Sequence, residues 1–152
     1  MLLYPFHVKF PKIAEEECRK IIIDENNKYL QKWEYPILEF YCTDPKCDCR
    51  KVTLNILDPK GKIASFNYWW ENLRFYTKWL YWDKELAKEL VGLNIDVHVN
   101  KSKYANVFFE IMKKKIFQDN TYSNILENHY YMMKQKKMIK KFDFSYKKKK
   151  GF

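Results

Sequence analysis

Glycine is nearly absent: Gly61, Gly92 and Gly151 are the three in 152 residues, and they stand far apart. No glycine-rich phosphate loop can be built from them, and no Walker, Rossmann, H-E-x-x-H or G-x-S-x-G pattern occurs. Long apolar runs are missing too. None approaches the ~20 residues that span a bilayer, and Pro5, His7, Lys9 and Pro11 interrupt the apolar start too early for a signal-peptide core. Arginine is scarce: Arg19, Arg50 and Arg74 are three of 29 basic residues, so lysine supplies the other 26. Bidentate recognition of phosphate or guanine favours arginine. The formal charge of +10 therefore argues for nucleic acid less strongly than its size suggests, and lysine beside abundant Asn and Ile equally fits an AT-rich coding bias.

What is present is apolar surface. The chain is 47% hydrophobic and 18% aromatic, enough for an ordinary core, which excludes disordered, collagenous and low-complexity classes for most of its length. The size is that of one soluble domain, read as cytoplasmic. The basic excess is local. From Met132 to Phe152 nine lysines face Asp143, leaving the remaining 131 residues at only +2. Residues 1–134 read as one α+β domain and 135–152 as a lysine-rich tail. That tail is either a solvated, partly disordered end or an electrostatic attachment to RNA, DNA or an acidic partner.

The pattern predicts a helix from Lys12 to about Lys32: Pro11 suits its start, Glu15 to Glu17 its first turn, and Ala14, Cys18, Ile21, Ile22 and Tyr29 recur at helical spacing. Pro36–Tyr41 reads as a strand. Val52, Leu54 and Ile56 alternate with Thr53 and Asn55, Asp58-Pro59-Lys60-Gly61 is a turn signal, and Ile63–Trp69 returns as a hairpin arm. About three antiparallel strands are expected, followed by three or four helices. Glu71–Val91 carries an apolar arc wider than one packing face, with Asp83 placed to break it and cap a second piece, and Gly92 to end it. That width suggests a further packing partner, such as a second copy of the chain or another protein. Ser102 and Thr121 are candidate caps of the last two helices. Trp69-Trp70 and Trp79-x-x-Trp82 either fill the core or form an aromatic platform.

Three of the four cysteines lie within eight residues, as Cys42-Thr-Asp-Pro-Lys-Cys47-Asp-Cys49. In a reducing compartment such clustering points to a metal rather than to disulfides. Asp44-Pro45 favours a turn that brings Cys42 back towards Cys47 and Cys49, where thiolates can converge on zinc at ~2.3 Å. A fourth ligand must come from elsewhere: His129, His98, His7, Cys18, an aspartate or water. His129 lies on the inward stripe of the last helix, with Tyr122, Ile125, Leu126 and Met133. A lone inward histidine can equally be a hydrogen-bonded core residue, and Cys18 a core thiol.

The string Glu39-Phe40-Tyr41-Cys42-x-Asp44-Pro45-x-Cys47-Asp48-Cys49-Arg50, followed by Tyr122, His129-Tyr130 and Lys134, resembles a family of small uncharacterised prokaryotic proteins. These pair an E-F-Y-C-x-D-P-x-C-D-C-R segment with a late helical H-Y dipeptide. The resemblance implies that Cys42, Cys47, Cys49 and His129 share one site, and it implies no activity. Four protein ligands make a closed, structural zinc site, whereas three cysteines plus water make an open Lewis-acid site. The expectation is a zinc-stabilised binding protein that attaches through its basic tail to nucleic acid or ribonucleoprotein. The alternatives are a metal- or cysteine-dependent enzyme centred on Cys42, Cys47 and Cys49, or a protein–protein module using the aromatic helix 71–91.

Overall fold

The computed structural model describes residues 2–96 and 104–134. It is α+β, as the sequence predicts, with more strands than expected. The elements are β1 (Leu3–Pro5), α1 (Phe6–Lys9), α2 (Pro11–Glu17), β2 (Lys20–Ile23), β3 (Trp33–Cys42), β4 (Lys51–Asp58), β5 (Gly61–Trp69), α3 (Leu73–Trp79), α4 (Lys84–Leu90), β6 (Gly92–Ile95), α5 (Ala105–Gln118) and α6 (Asn120–Lys134). The sheet is antiparallel with order β1-β3-β4-β5-β6, and β2 also pairs with β3.

The β4–β5 hairpin follows directly from its turn. The Asp58 side chain accepts the Lys60 amide at 2.8 Å, and Gly61 takes a φ of +127° that a side chain would resist. Period-two alternation then sorts the faces. Tyr35, Ile37, Glu39 and Tyr41 of β3, Val52, Leu54 and Ile56 of β4, and Ala64, Phe66 and Tyr68 of β5 are buried together, in register through Ile37–Ile56, Glu39–Leu54 and Leu54–Phe66. Between them alternate the polar pairs of the other face, where Thr53 donates to Asn67 and Ser65 to Asn55, both at 2.7 Å.

Two long helices cover the apolar face: α5 packs on β5 and β6, and α6 on β3 and β4. Ala105, Phe108, Met112 and Ile116 form the buried stripe of α5, and Tyr122, Ile125, Leu126, His129 and Met133 lie on that of α6. Each large apolar side chain so buried contributes about 1.5–3 kcal/mol.

The expected helix from Lys12 to Lys32 ends at Glu17. Cys18 is already extended, and Lys20–Ile23 pairs with Trp33–Pro36. The reason is a local preference completed by a remote strand: Ile21, Ile22 and Ile23 are β-branched and gain cross-strand contacts from a longer β3. In contrast, the break in the 71–91 segment occurs where expected, with Asp83 accepting the Leu86 amide at 3.1 Å. Gly92, at φ +88°, follows the end of α4 and opens a short edge strand rather than a loop. Thr121 does not cap α6. Asp119 does, accepting the Thr121 and Tyr122 amides at 3.0 and 3.3 Å while its other oxygen meets Arg19 at 3.3 Å. Ser102, His98 and the tail 135–152 lie outside the described residues.

Asp119 thus sets both the start of α6 and its tie to the β2 side of the molecule. Replacing it with Ala is expected to cost about 1–2 kcal/mol in urea denaturation. Arg19→Ala should cost less than half of that, because the ion pair is part-exposed.

Candidate metal centre

Cys42 closes β3, and the chain turns at once. Asp44 shapes the turn: its side chain accepts the Lys46 amide at 2.9 Å and its carbonyl accepts the Cys47 amide at 3.1 Å. Arg50 then adopts a φ of +49°, which re-aims the backbone into β4 behind Cys49. The turn brings the Sγ atoms of Cys42, Cys47 and Cys49 within 4.8 Å of one another. Thiolates on a tetrahedral zinc at ~2.3 Å stand about 3.8 Å apart, so only a modest contraction separates this cluster from a coordinating set. Cys42 and Cys49 are buried while Cys47 is half-buried. Cys42 and Cys47 border an open depression of about 530 Å³ that also meets Leu2 and Pro45.

The outer side of the loop is braced by neighbouring aromatics. Tyr76 donates to the Arg50 carbonyl at 2.7 Å, and Tyr130 accepts the Arg50 amide at 3.2 Å. The Arg50 guanidinium spans Asp48 and Glu71 and lies 4.5 Å from the Phe75 ring centre.

Lys134 completes the site from the far end of the domain. Its ammonium, almost fully buried, donates to the carbonyls of Asp44 and Cys47 at 2.7 and 2.8 Å. That cation favours charge on the nearby sulfurs, and their different surroundings set them apart. Burial opposes charge on Cys42, yet a backbone hydrogen bond at Asp44 and the Lys134 ammonium outweigh it and hold the thiol below its usual value. Cys49, deeper and beside two other sulfurs, is pushed up to about 12, chiefly by burial. One sulfur is thus prepared as a thiolate while another holds its proton until a cation arrives.

His129 does not join this set. Its Nδ1 lies 2.6 Å from Glu39 Oε1 and its Nε2 2.8 Å from Glu17 Oε1, while Phe6 stacks on the ring at 3.8 Å, 14° from parallel. With both nitrogens engaged by carboxylates, it belongs to a second cluster with Cys18 and Glu39. The structure brings the three clustered cysteines together and places the histidine elsewhere. Among the described residues, no fourth His, Cys, Asp or Glu joins the three sulfurs. His7 is exposed on α1. The late side chain that reaches the knuckle is Lys134.

The resembling segments include Glu39 and Lys134, but sequence reasoning gave neither a place in a metal cluster. Glu39 sits in phase with Ile37 and Tyr41 on the buried face of β3, a visible signal, since a carboxylate at an inward position requires a partner. Lys134, one lysine among many, has no such signal in its own position, and only the resembling pattern singles it out. Of the tryptophans, Trp69 and Trp79 pack against each other and Trp70 against Tyr130, as the core reading expects. Trp82 is 71% exposed, beside Tyr81 at 93%.

No family model, curated protein or solved structure matches this chain.

His129 is pushed above its ordinary value: burial opposes its protonation, and the hydrogen bonds and charges of Glu17 and Glu39 outweigh burial. The folded state therefore holds the imidazolium more tightly than the unfolded chain does. This contribution to stability is fully present below the ordinary histidine value of about 6.5 and is lost as pH rises through the raised folded-state value. In urea denaturation of chelator-treated protein from about pH 6 upward, the stability gap between wild type and His129→Gln should be widest at the acid end. It should narrow as the pH climbs. A gap independent of pH would mean that the ring is neutral in the folded protein.

Proposed function

We propose that Cys42, Cys47 and Cys49 hold one zinc ion, and that the chain is a cytoplasmic, metal-stabilised binding protein. Its lysine-rich end serves as the attachment to nucleic acid or ribonucleoprotein. The observation that carries the metal assignment is the convergence of three sulfurs from a hydrogen-bonded turn, with the Lys134 ammonium favouring charge on Cys42 and Cys49. Disulfide chemistry explains this less well, since any pair among three would leave an odd thiol beside it. Zinc suits a soft, sulfur-rich set better than magnesium or calcium.

When bound, such an ion ties the end of β3 to the start of β4, and an exchangeable fourth ligand adds Lewis acidity. With His129 engaged by Glu17 and Glu39, that fourth ligand comes from the side of the open depression, water in the simplest case. This feature favours a second reading, an enzyme with an open metal site, over a bare cysteine nucleophile. The chain's own contribution in either case is to position the sulfurs, to keep Cys49 dry and to hold the loop carbonyls against α6 through Lys134.

The attachment rests on charge. Residues 135–152 contain eight lysines against Asp143, while Lys134 is used inside the fold. The natural truncation therefore ends after Lys134. No helix among the described residues is long and apolar enough to cross a membrane.

Native mass spectrometry of the full chain under reducing conditions, after exposure to zinc, should show an ion that Cys47→Ala loses, and the variant's melting temperature should fall with it. A wild-type chain that takes up no metal, with Cys47→Ala melting at the same temperature, refutes the assignment. For the tail, the full chain should bind RNA or DNA in low salt, with log K falling linearly as log salt rises. The version ending at Lys134 should bind much more weakly; equal binding by the two rules out the tail as the attachment.

A further inference from the structure

The second cluster has no role in the three-sulfur site, and its composition is unusual for a core. Glu17 ends α2, Cys18 is the next residue, Glu39 comes from β3 and His129 from α6. Ligand atoms of Cys18, Glu39 and His129 lie within 4.8 Å of one another, and Glu17 Oε1 is 2.8 Å from the histidine. The Glu39 side chain has essentially no solvent contact. Its Oε1 is doubly engaged, by Tyr41 Oη at 2.7 Å and His129 Nδ1 at 2.6 Å. Its Oε2 is buried without a hydrogen-bond partner among the described residues. The Tyr122 hydroxyl, also buried and unpartnered, feels the charges of Glu39 and Cys18. A buried carboxylate oxygen without a partner is costly to a fold unless a ligand meets it there.

Packing alone does not explain the set. A histidine that merely satisfied Glu39 would not need a second carboxylate from another element, nor a thiol against the same carboxylate. The thiol does not act as a nucleophile here, because burial and the neighbouring Glu39 charge hold it far above the usual cysteine range. We propose that Cys18, Glu39 and His129, with Glu17 on the outer side, form a second metal site for a divalent first-row transition ion, separate from the three-cysteine site. Ligands at about 2.0–2.3 Å from one ion stand about 3.3–3.8 Å apart, within reach of this cluster after small side-chain shifts. Glu39 Oε2 gains the partner it lacks. Mixed sulfur, nitrogen and oxygen donors select zinc, iron(II) or cobalt(II) over magnesium and calcium.

Access also fits. A surface cavity of about 420 Å³ is lined by Cys18, Glu39, His7 and Ala14, so the Cys18 side of the cluster borders it. Coordination displaces the proton of the Cys18 thiol and one proton of the His129 imidazolium, both released to solvent. The ion would then join three parts of the chain, the α2 end, β3 and α6, that are remote in sequence.

The test is cobalt(II) titration of the full chain under reducing conditions, followed by native mass spectrometry and by the thiolate-to-cobalt absorption. Wild type, Cys18→Ala and Cys47→Ala are compared, with folding checked by circular dichroism. The expected result is two ions per wild-type chain, with Cys18→Ala weakening one of them by at least about tenfold and leaving the other, and Cys47→Ala doing the reverse. A single ion, lost in Cys47→Ala and untouched in Cys18→Ala, overturns this second site while leaving the three-cysteine reading intact. A single ion lost only in Cys18→Ala supports it and overturns the other. No bound ion overturns both. Should Cys18→Ala fail to fold, Cys18→Ser and the wild-type stoichiometry decide.

Discussion

The buried hydrogen bond between Glu39 and His129 is the constraint on which this fold turns. A carboxylate in the middle of the apolar face of β3 is tolerable only if donors meet it there: Tyr41 supplies one from the strand itself, and His129 supplies the other from the helix laid across the sheet. The pairing therefore fixes α6 in translation and in rotation. Once His129 faces Glu39, Tyr130 falls opposite Arg50 and Lys134 opposite the carbonyls of Asp44 and Cys47. Losing one member of such a pair strands a charge in the core, at about 3–5 kcal/mol, more than the loss of a single surface contact along α6. Specificity of docking is then a matter of matching charge, where an all-apolar interface would permit sliding by a turn.

That docking couples two clusters that would otherwise be independent. From one end of α6, Lys134 neutralises part of the charge that ionised sulfurs bring to the turn after β3. One and a half turns earlier, His129 collects two carboxylates from β3 and the end of α2. The cation on the first cluster favours thiolates; the anions at the second favour an imidazolium, or a metal ion in its place. Opposite electrostatic demands are thus separated along one helix. This explains why His129, inward-facing and close in sequence to the residue that does reach the knuckle, stands apart from the sulfurs. An imidazole supplying a fourth ligand would have had to abandon Glu39.

Much of this was legible in the residues, and the failures have physical causes. The hairpin at Asp58–Gly61, the interruption capped by Asp83 and the inward stripes of α5 and α6 follow from local rules that tertiary structure had no reason to override. The three-cysteine cluster was legible because a short chemical spacing determines its own geometry. The helix expected over Lys12–Lys32 failed because Ala14, Cys18 and Ile21 match a helical period by coincidence. The choice between helix and strand for Ile21–Ile23 lies with Trp33–Pro36, residues beyond any local window. β6 was missed for the same reason, being too short to show alternation and existing only through β5.

The assignment of His129 shows a different kind of limit. Sequence established that the residue points inward, and nothing in spacing could say which inward partner it meets. Glu39 held the missing information. Its place between Ile37 and Tyr41 makes it the single carboxylate on the buried face of β3, and a histidine on the stripe of the covering helix is the most suitable neutral or cationic partner for it. Lys134 is a less obvious cation, because its ammonium must be stripped of water to reach two carbonyls, and that cost is recovered only where thiolates lie nearby. The sulfur cluster therefore accounts for the buried lysine as much as the lysine accounts for the ionised sulfur. Neither feature is stable alone in a dry site, and this mutual dependence is what ties the turn after β3 to the end of α6.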